Sequence, residues 1–198
     1  MSRFVEDLIA QAGLLPVLVA HRAGDLATVR ASIASWSAAD LLVLGAVADA
    51  VRTEGMDATV HVHERAGAGS NAADVTWVEP LKGASELDIL RAVAVARIDA
   101  RKGARIGVDW SQCGMELAQV ALGFGASDLR GPITRKAGLP IFEDEKRKVK
   151  GQGMVELRSI RKREIAALIT HAGRLPVFVG DDDATRPREP SQEVAQNV

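Results

Sequence analysis

The 198-residue sequence contains one cysteine, no tyrosine and almost no imbalance of charge. Each shortage excludes something. A single thiol, Cys113, cannot form an intrachain disulfide, which suits a reducing, cytoplasmic compartment. Aromatic residues make up 4%, too few for the stacking platforms that hold single-stranded nucleic acid. With 25 basic and 26 acidic residues the net charge is −1, so the basic excess of a nucleic-acid protein is missing. Long hydrophobic runs are missing too. The stretch Leu41 to Val51 contains small residues and stops short of a bilayer span. The opening Met1-Ser-Arg-Phe-Val-Glu-Asp7 carries acids and lacks a signal-peptide charge pattern. Neither nucleic acid nor membrane is an expected partner.

What is present is a folding composition. Hydrophobic residues reach 47%, and the length suffices for one domain with a core. We place that domain at residues 1–180. Residues 3–13 read as a helix ended by Gly13. Leu14-Leu-Pro-Val-Leu-Val-Ala20 reads as a buried strand with a proline near its start. Asp25 caps a helix to about Ser35. Ser37 is the next expected N-cap, with Asp40 as its third residue and Leu41, Leu44, Val47, Ala48 and Val51 in helical spacing. Thr59–His63 alternates like a strand. Residues 66–73 read as a glycine-rich flexible loop without a phosphate-binding fingerprint. Val75–Val78 is a strand, and Ser85 caps a long helix with Glu86 and Asp88 in its first turn. Arg105–Trp110 is a strand, Met115–Phe124 an apolar helix, Lys162–His171 the last helix and Leu175–Val179 the last strand. Residues 131–160 form a long connection, with a hairpin or lid as its two readings. From Asp181 the chain turns polar and proline-rich, and a disordered tail is expected over 181–198.

Strand and helix alternate along most of this length. That predicts an α/β fold: a partial or rebuilt (β/α) barrel, or an open, mostly parallel sheet with covering helices. There is also an internal echo. Leu8–Ala20 and Leu168–Gly180 share eight of thirteen residues, including Ala-Gly-x-Leu-Pro-Val. Either the two copies obey the same local demands, a glycine cap before a proline-bearing strand, or they are a structural repeat.

Residues 85–131 carry a more specific pattern. They include Ser85-Glu-Leu-Asp-Ile-Leu-Arg-Ala-Val-Ala-Val-Ala-Arg97, Gly107-Val-Asp-Trp110, Gly114-Met-Glu-Leu-Ala-Gln119 and Phe124-Gly-Ala-Ser-Asp-Leu-Arg-Gly131. Asp40–Arg52 and Glu164-Ile-Ala-Ala-Leu-Ile-x-x-Ala-Gly-Arg-x-Pro176 flank them in order. This combination resembles the C-terminal region, with flanking pieces, of the futalosine-pathway radical SAM enzymes, aminofutalosine synthase and dehypoxanthine futalosine cyclase, of menaquinone biosynthesis. The resemblance implies a (β/α) barrel ancestry and a ligand site at the distal barrel face. It places Arg97, Gln119, Ser127 and Asp128 as candidate ligand-binding residues, beside Asp109 and Trp110, which end a predicted strand where such sheets hold ligands; capping of the following helices is the other reading of Asp109 and Asp128.

The departures are as informative. That family follows its first strand with a Cys-x-x-x-Cys-x-x-Cys loop for a [4Fe–4S] cluster. Here the strand leads into Glu64-Arg-Ala-Gly-Ala-Gly-Ser-Asn71, without cysteine. Three thiolates hold such a cluster, and one cannot. The resemblance therefore implies a degenerate, cluster-free protein without conventional radical SAM activity, and leaves S-adenosylmethionine as an open ligand. No catalytic residue is assigned.

Three functions follow as expectations. The first is a cluster-free relative that binds a small molecule or assists a pathway enzyme. The second is an assembly protein, a homo-oligomer or the partner of another enzyme, because a truncated barrel bares sheet edges. The third is a small metal-dependent enzyme. His61 and His63 alternate on a strand, so both face one side, where a His-x-His pair can ligate a metal; two histidines on a solvated strand face are the plainer reading. Cys113, at a helix start without a neighbouring base, reads as a packed, inert thiol.

Overall fold

The computed structural model describes residues 3–64, 74–134, 146–149, 153–156 and 160–179. The stretch at 66–73 and the tail from 181 lie outside the described residues. Four short helices open the chain: α1 (Arg3–Gln11), α2 (Leu15–Arg22), α3 (Leu26–Ala31) and α4 (Ile33–Trp36). Asp25 caps α3, its carboxylate accepting from the Thr28 N–H at 3.0 Å. Helix α5 (Leu41–Gly55) follows. Its N-cap is Asp40, which accepts from the Leu42 and Val43 N–H groups, and not the predicted Ser37. A carboxylate satisfies those donors and also complements the helix dipole, which a hydroxyl does not.

The strand expected at Leu14–Ala20 is helix α2. Pro16 sits in its first turn, where the missing N–H would have had no helical partner. Val17, Leu18 and His21 are its buried residues, and His21 donates from Nε2 to the Ala100 carbonyl at 2.9 Å. The echo therefore has two outcomes. Gly13 and Gly173 both take positive φ after a helix, at 74° and 71°. Beyond the glycine, the first copy continues as a helix and the second as a strand.

The sheet contains β1 (Thr59–Glu64), β2 (Val75–Val78), β3 (Arg105–Asp109), β4 (Asp128–Gly131) and β7 (Leu175–Phe178). Its order is β2-β3-β4-β1-β7, with every pairing parallel. It is an open sheet, and β2 and β7 are its outer strands; the closed barrel does not form. Two further strands, β5 (Lys146–Val149) and β6 (Gly153–Glu156), pair antiparallel, as the hairpin reading of the long connection predicts. Helix α6 (Glu86–Asp99) carries a full capping box between Ser85 and Asp88. Strand β3 stops at Asp109, and Trp110 begins the short helix α7 (Trp110–Cys113). Helix α8 (Met115–Ala121) runs into a 3₁₀ turn at Leu122–Phe124 that Gly125 ends in the left-handed region, φ 94°. Helix α9 (Lys162–His171) precedes β7.

Helices α6 and α8 connect β2 to β3 and β3 to β4 in one direction across the sheet. Right-handed crossovers then place both helices on the same face. That face is apolar: Val60, Val62, Ile106, Val108 and Leu129 join Leu44, Val47, Val93, Ala118, Ile165 and Ile169 in one buried cluster. No single described helix is long and apolar enough to cross a membrane.

Strand β7 explains its own edge. Leu175 and Val179 donate their N–H groups inward, to the Ala58 and Val62 carbonyls. By the alternation of a strand, position 176 faces outward, and Pro176 removes the donor there. A proline on the outer side of an edge strand blunts pairing with another chain.

Candidate functional site

Parallel strands buried on both faces read as continuous hydrophobic runs. These strands alternate instead. The register sets Val75 beside Arg105, Trp77 beside Gly107, Gly107 beside Asp128, and Asp128 beside His61. One step on, Asp109 lies beside Arg130 and Arg130 beside His63. Since i and i+2 share a face, the side opposite the helices carries His61, His63, Trp77, Arg105, Asp109, Asp128 and Arg130. Gly107 makes room on it: a Cβ there would run into the Trp77 indole and, at 2.9 Å, Val75.

The centre of this face is a buried ion network. Asp128 is fully buried and His63 is 3% exposed. His63 Nε2 lies 2.8 Å from Asp128 Oδ1. Arg105 reaches both carboxylate oxygens, donating from Nε to Oδ2 at 3.2 Å and from Nη2 to Oδ1. The Ser127 hydroxyl donates to Oδ2 at 2.8 Å. Burial alone would push the Asp128 carboxyl up. The hydrogen bonds from His63, Arg105 and Ser127 outweigh it and hold the group below the usual carboxylate range.

A second pair sits nearer the C-terminal ends of the strands, where open α/β sheets bind ligands. Arg130 donates from Nε to Asp109 Oδ2 at 3.0 Å and lies 4.4 Å over the Trp77 ring. It also approaches Glu79 at 3.5 Å. The His63 ring meets Trp77 edge-on, with centroids 5.4 Å apart. Asp109 caps α7 through the Ser111 N–H at 2.9 Å and the Ser111 hydroxyl at 2.6 Å. Two ring nitrogens on this face, Nδ1 of His61 and Nδ1 of His63, are buried without a hydrogen-bond partner among the described residues. A buried polar atom left unsatisfied costs about 1–3 kcal/mol, so such atoms in folded proteins call for an explanation.

The expected residues thus divide. Asp109, Asp128, His61 and His63 share the polar face, and Ser127 buttresses it. Arg97 lies in the interior, donating to the Gly125 carbonyl at 2.7 Å, to the Ala104 carbonyl and to Ser127 Oγ at 3.2 Å. Burial pulls its pKa down to about 10. Gln119 ties α8 to α9 through the Leu168 carbonyl at 3.0 Å. Trp110 is buried against Gly131, whose added Cβ would occupy the indole's place. A pocket that Asp109, Gln119 and Asp128 line together is therefore not assembled, because Gln119 points into helix packing. Sequence reasoning missed Arg105, Arg130 and Trp77. The signal was present: Arg105-x-Gly-x-Asp109, Asp128-x-Arg130 and His61-x-His63 alternate polar with apolar on strands that a buried parallel sheet would make wholly apolar.

The residues do not fit an iron–sulfur cluster. Cys113 is the single thiol, and it donates weakly to the Asp109 carbonyl at 3.4 Å. Burial first, and then Asp109 and Glu86, push its pKa up to about 11. It should therefore behave as an inert thiol. We expect iodoacetamide at pH 8 to alkylate the native protein more than ~10-fold more slowly than the denatured chain; equal rates would contradict the buried, thiol-form Cys113. For His61 and His63, no group of three or more His, Cys, Asp or Glu side chains among the described residues is placed to hold a metal ion. The cation that meets His63 and Asp128 here is the Arg105 guanidinium.

Burial, and then Arg105, lower the His61 pKa; His63 adds to this, while Asp128 and Asp57 oppose it. Below its ordinary value of about 6.5 the unfolded chain takes up the His61 proton while the folded chain still resists. More protons on the unfolded state mean stability that falls as pH falls. His61→Gln should flatten the stability slope from about pH 6.5 downward, read from urea melts across that range. An unchanged slope would show that His61 titrates alike in both states.

Fold and site together define an open-sheet α/β protein whose parallel strands keep one polar, ion-paired face. Among curated proteins the chain is 36% identical over 91 residues to aminodeoxyfutalosine synthase of Thermus thermophilus. The match covers 46% of this chain and 22% of that enzyme, so it spans under a quarter of the relative's length. No family model matches the chain. The similarity supports a distant relation to the aminodeoxyfutalosine synthase family.

Proposed function

We propose that this protein binds a small nucleoside-type molecule on the polar face of its sheet, as a cluster-free relative of the futalosine-pathway enzymes. The observation that carries the proposal is the row His63–Asp128–Arg105 with Trp77 and Arg130 on one face of a parallel sheet. Such a network is expensive to bury for stability alone, since a well-packed apolar set is often equal or better. Its presence across three adjacent strands is the expected cost of a site. The distant relation to aminodeoxyfutalosine synthase supports the choice of ligand class. A cluster-dependent radical reaction forms no part of the proposal.

Calorimetry tests this with S-adenosylmethionine, an aminodeoxyfutalosine-type nucleoside and adenosine. Saturable binding of at least one is expected, weakened ~10-fold or more in Arg130→Ala, which loses a cation and its stacking on Trp77. No heat from any of the three would overturn the proposal.

A further inference from the structure

We propose that His63, oriented by Asp128, offers Nδ1 as the hydrogen-bond acceptor of this face and receives a neutral hydroxyl or amide N–H of the ligand. The inference rests on the binding reading above and adds the atom that makes the contact. Asp128 faces three donors, from His63, Arg105 and Ser127, and these hold it as a carboxylate. A carboxylate only accepts, so His63 Nε2 at 2.8 Å must carry the proton. In the neutral ring Nδ1 then carries the bare lone pair. It is buried, and no described residue donates to it. The ring is locked from both sides, by Asp128 and by the edge-on Trp77 indole.

The surrounding charges select the class of donor. Arg105 Nη2 lies 3.2 Å from His63 Nε2, and Arg130 is the register partner of His63. Both guanidinium groups are already paired, Arg105 with Asp128 and Arg130 with Asp109, so these two carboxylates are committed and do not balance an incoming metal ion or ammonium group. A neutral donor needs no such balance. Asp128 acts here as a positioning residue, because it touches only His63 and its own partners. Its removal has a specific consequence. Without the carboxylate, Arg105 is the remaining polar partner near Nε2. A guanidinium only donates, so Nε2 must accept and the proton moves to Nδ1.

Nitrogen-15 NMR of the histidine side chains tests this on the full chain. The wild type should show His63 as the Nε2–H tautomer, and Asp128→Ala should show Nδ1–H. If that variant does not fold, Arg105→Ala serves, with Nε2–H retained. An Nδ1–H tautomer in the wild type overturns the inference. Saturating adenosine, or S-adenosylmethionine if calorimetry favours it, should move the His63 Nδ1 resonance. Measured binding with an unmoved resonance removes this inference and leaves the binding proposal standing. No binding to any compound removes the binding proposal and leaves the tautomer result. Stoichiometric uptake of Zn²⁺ alone, lost in His61→Ala, overturns the neutral-donor class in favour of a metal.

Discussion

Asp128→Ala will destabilise the protein by about 3 kcal/mol, the low end of the range for breaking a buried ion pair. Three donors, Arg105, His63 and Ser127, lose their acceptor at once. Arg105 retains partial access to solvent, which returns some of the loss as hydration; His63 has almost none. The pH dependence gives an independent check. The folded Asp128 pKa lies below the usual carboxylate value. Its contribution is therefore fully present above about pH 4 and is lost as pH falls through the lower folded value. Urea melts should show the wild type losing this contribution below pH 4, while Asp128→Ala loses it at every pH and has a shallower acid limb. A loss below about 1 kcal/mol at neutral pH would mean that the network is peripheral to the fold.

Arg97→Met should cost a similar amount, about 3 kcal/mol, although it alters no residue on the polar face. The volume is nearly kept, so cavity formation is not the cause. What is lost is the donor to the Gly125 and Ala104 carbonyls and to Ser127 Oγ. Hydrogen bonds from a charged group contribute about 1.5–3 kcal/mol each. Their sum is reduced by the penalty of burying the guanidinium, the same penalty that pulls its pKa to about 10. The substitution also tests how the site is held. Ser127 Oγ accepts from Arg97 and from the Ile106 N–H while donating to Asp128. Loss of Arg97 should loosen Ser127 and so weaken the proposed ligand binding along with stability. Differential scanning calorimetry and ligand calorimetry read the two effects. A variant with wild-type stability would remove the role assigned to Arg97.

Much of the architecture was legible before any coordinates. Helix α6 announced itself through Ser85 and Asp88, helix α9 matched its predicted span, and strands β1, β2 and β3 followed from short apolar or alternating runs. These elements obey local rules of capping, period and glycine placement, which a one-dimensional reading contains. The candidate face was legible in part. Asp109, Asp128, His61 and His63 were singled out, and the structure brings all four to one face. Arg97 and Gln119 were singled out as well, yet they serve interior hydrogen bonding and helix packing. Nothing in a residue's identity says whether its polar group faces a cleft or a neighbouring carbonyl.

The echo marks the boundary between the two kinds of information. Ala-Gly-x-Leu-Pro-Val follows a helix at both ends of the chain, and by itself it determined the glycine turn and a position tolerant of proline. It left open what comes next, because proline is accepted both in a helix's first turn and on an edge strand. Tertiary structure decided. At 175–178 the free edge of β1 supplies carbonyls at Ala58 and Val62, so the segment pairs as β7. At 15–22 the chain has helices to pack against, and it buries Val17, Leu18 and His21 as α2. The same division holds for the polar face. Composition determined that one cysteine cannot carry a cluster. Only strand order, which places β4 between β3 and β1, set Asp128 between Arg105 and His63, because hydrogen-bonded neighbours in a parallel sheet need not be neighbours in sequence.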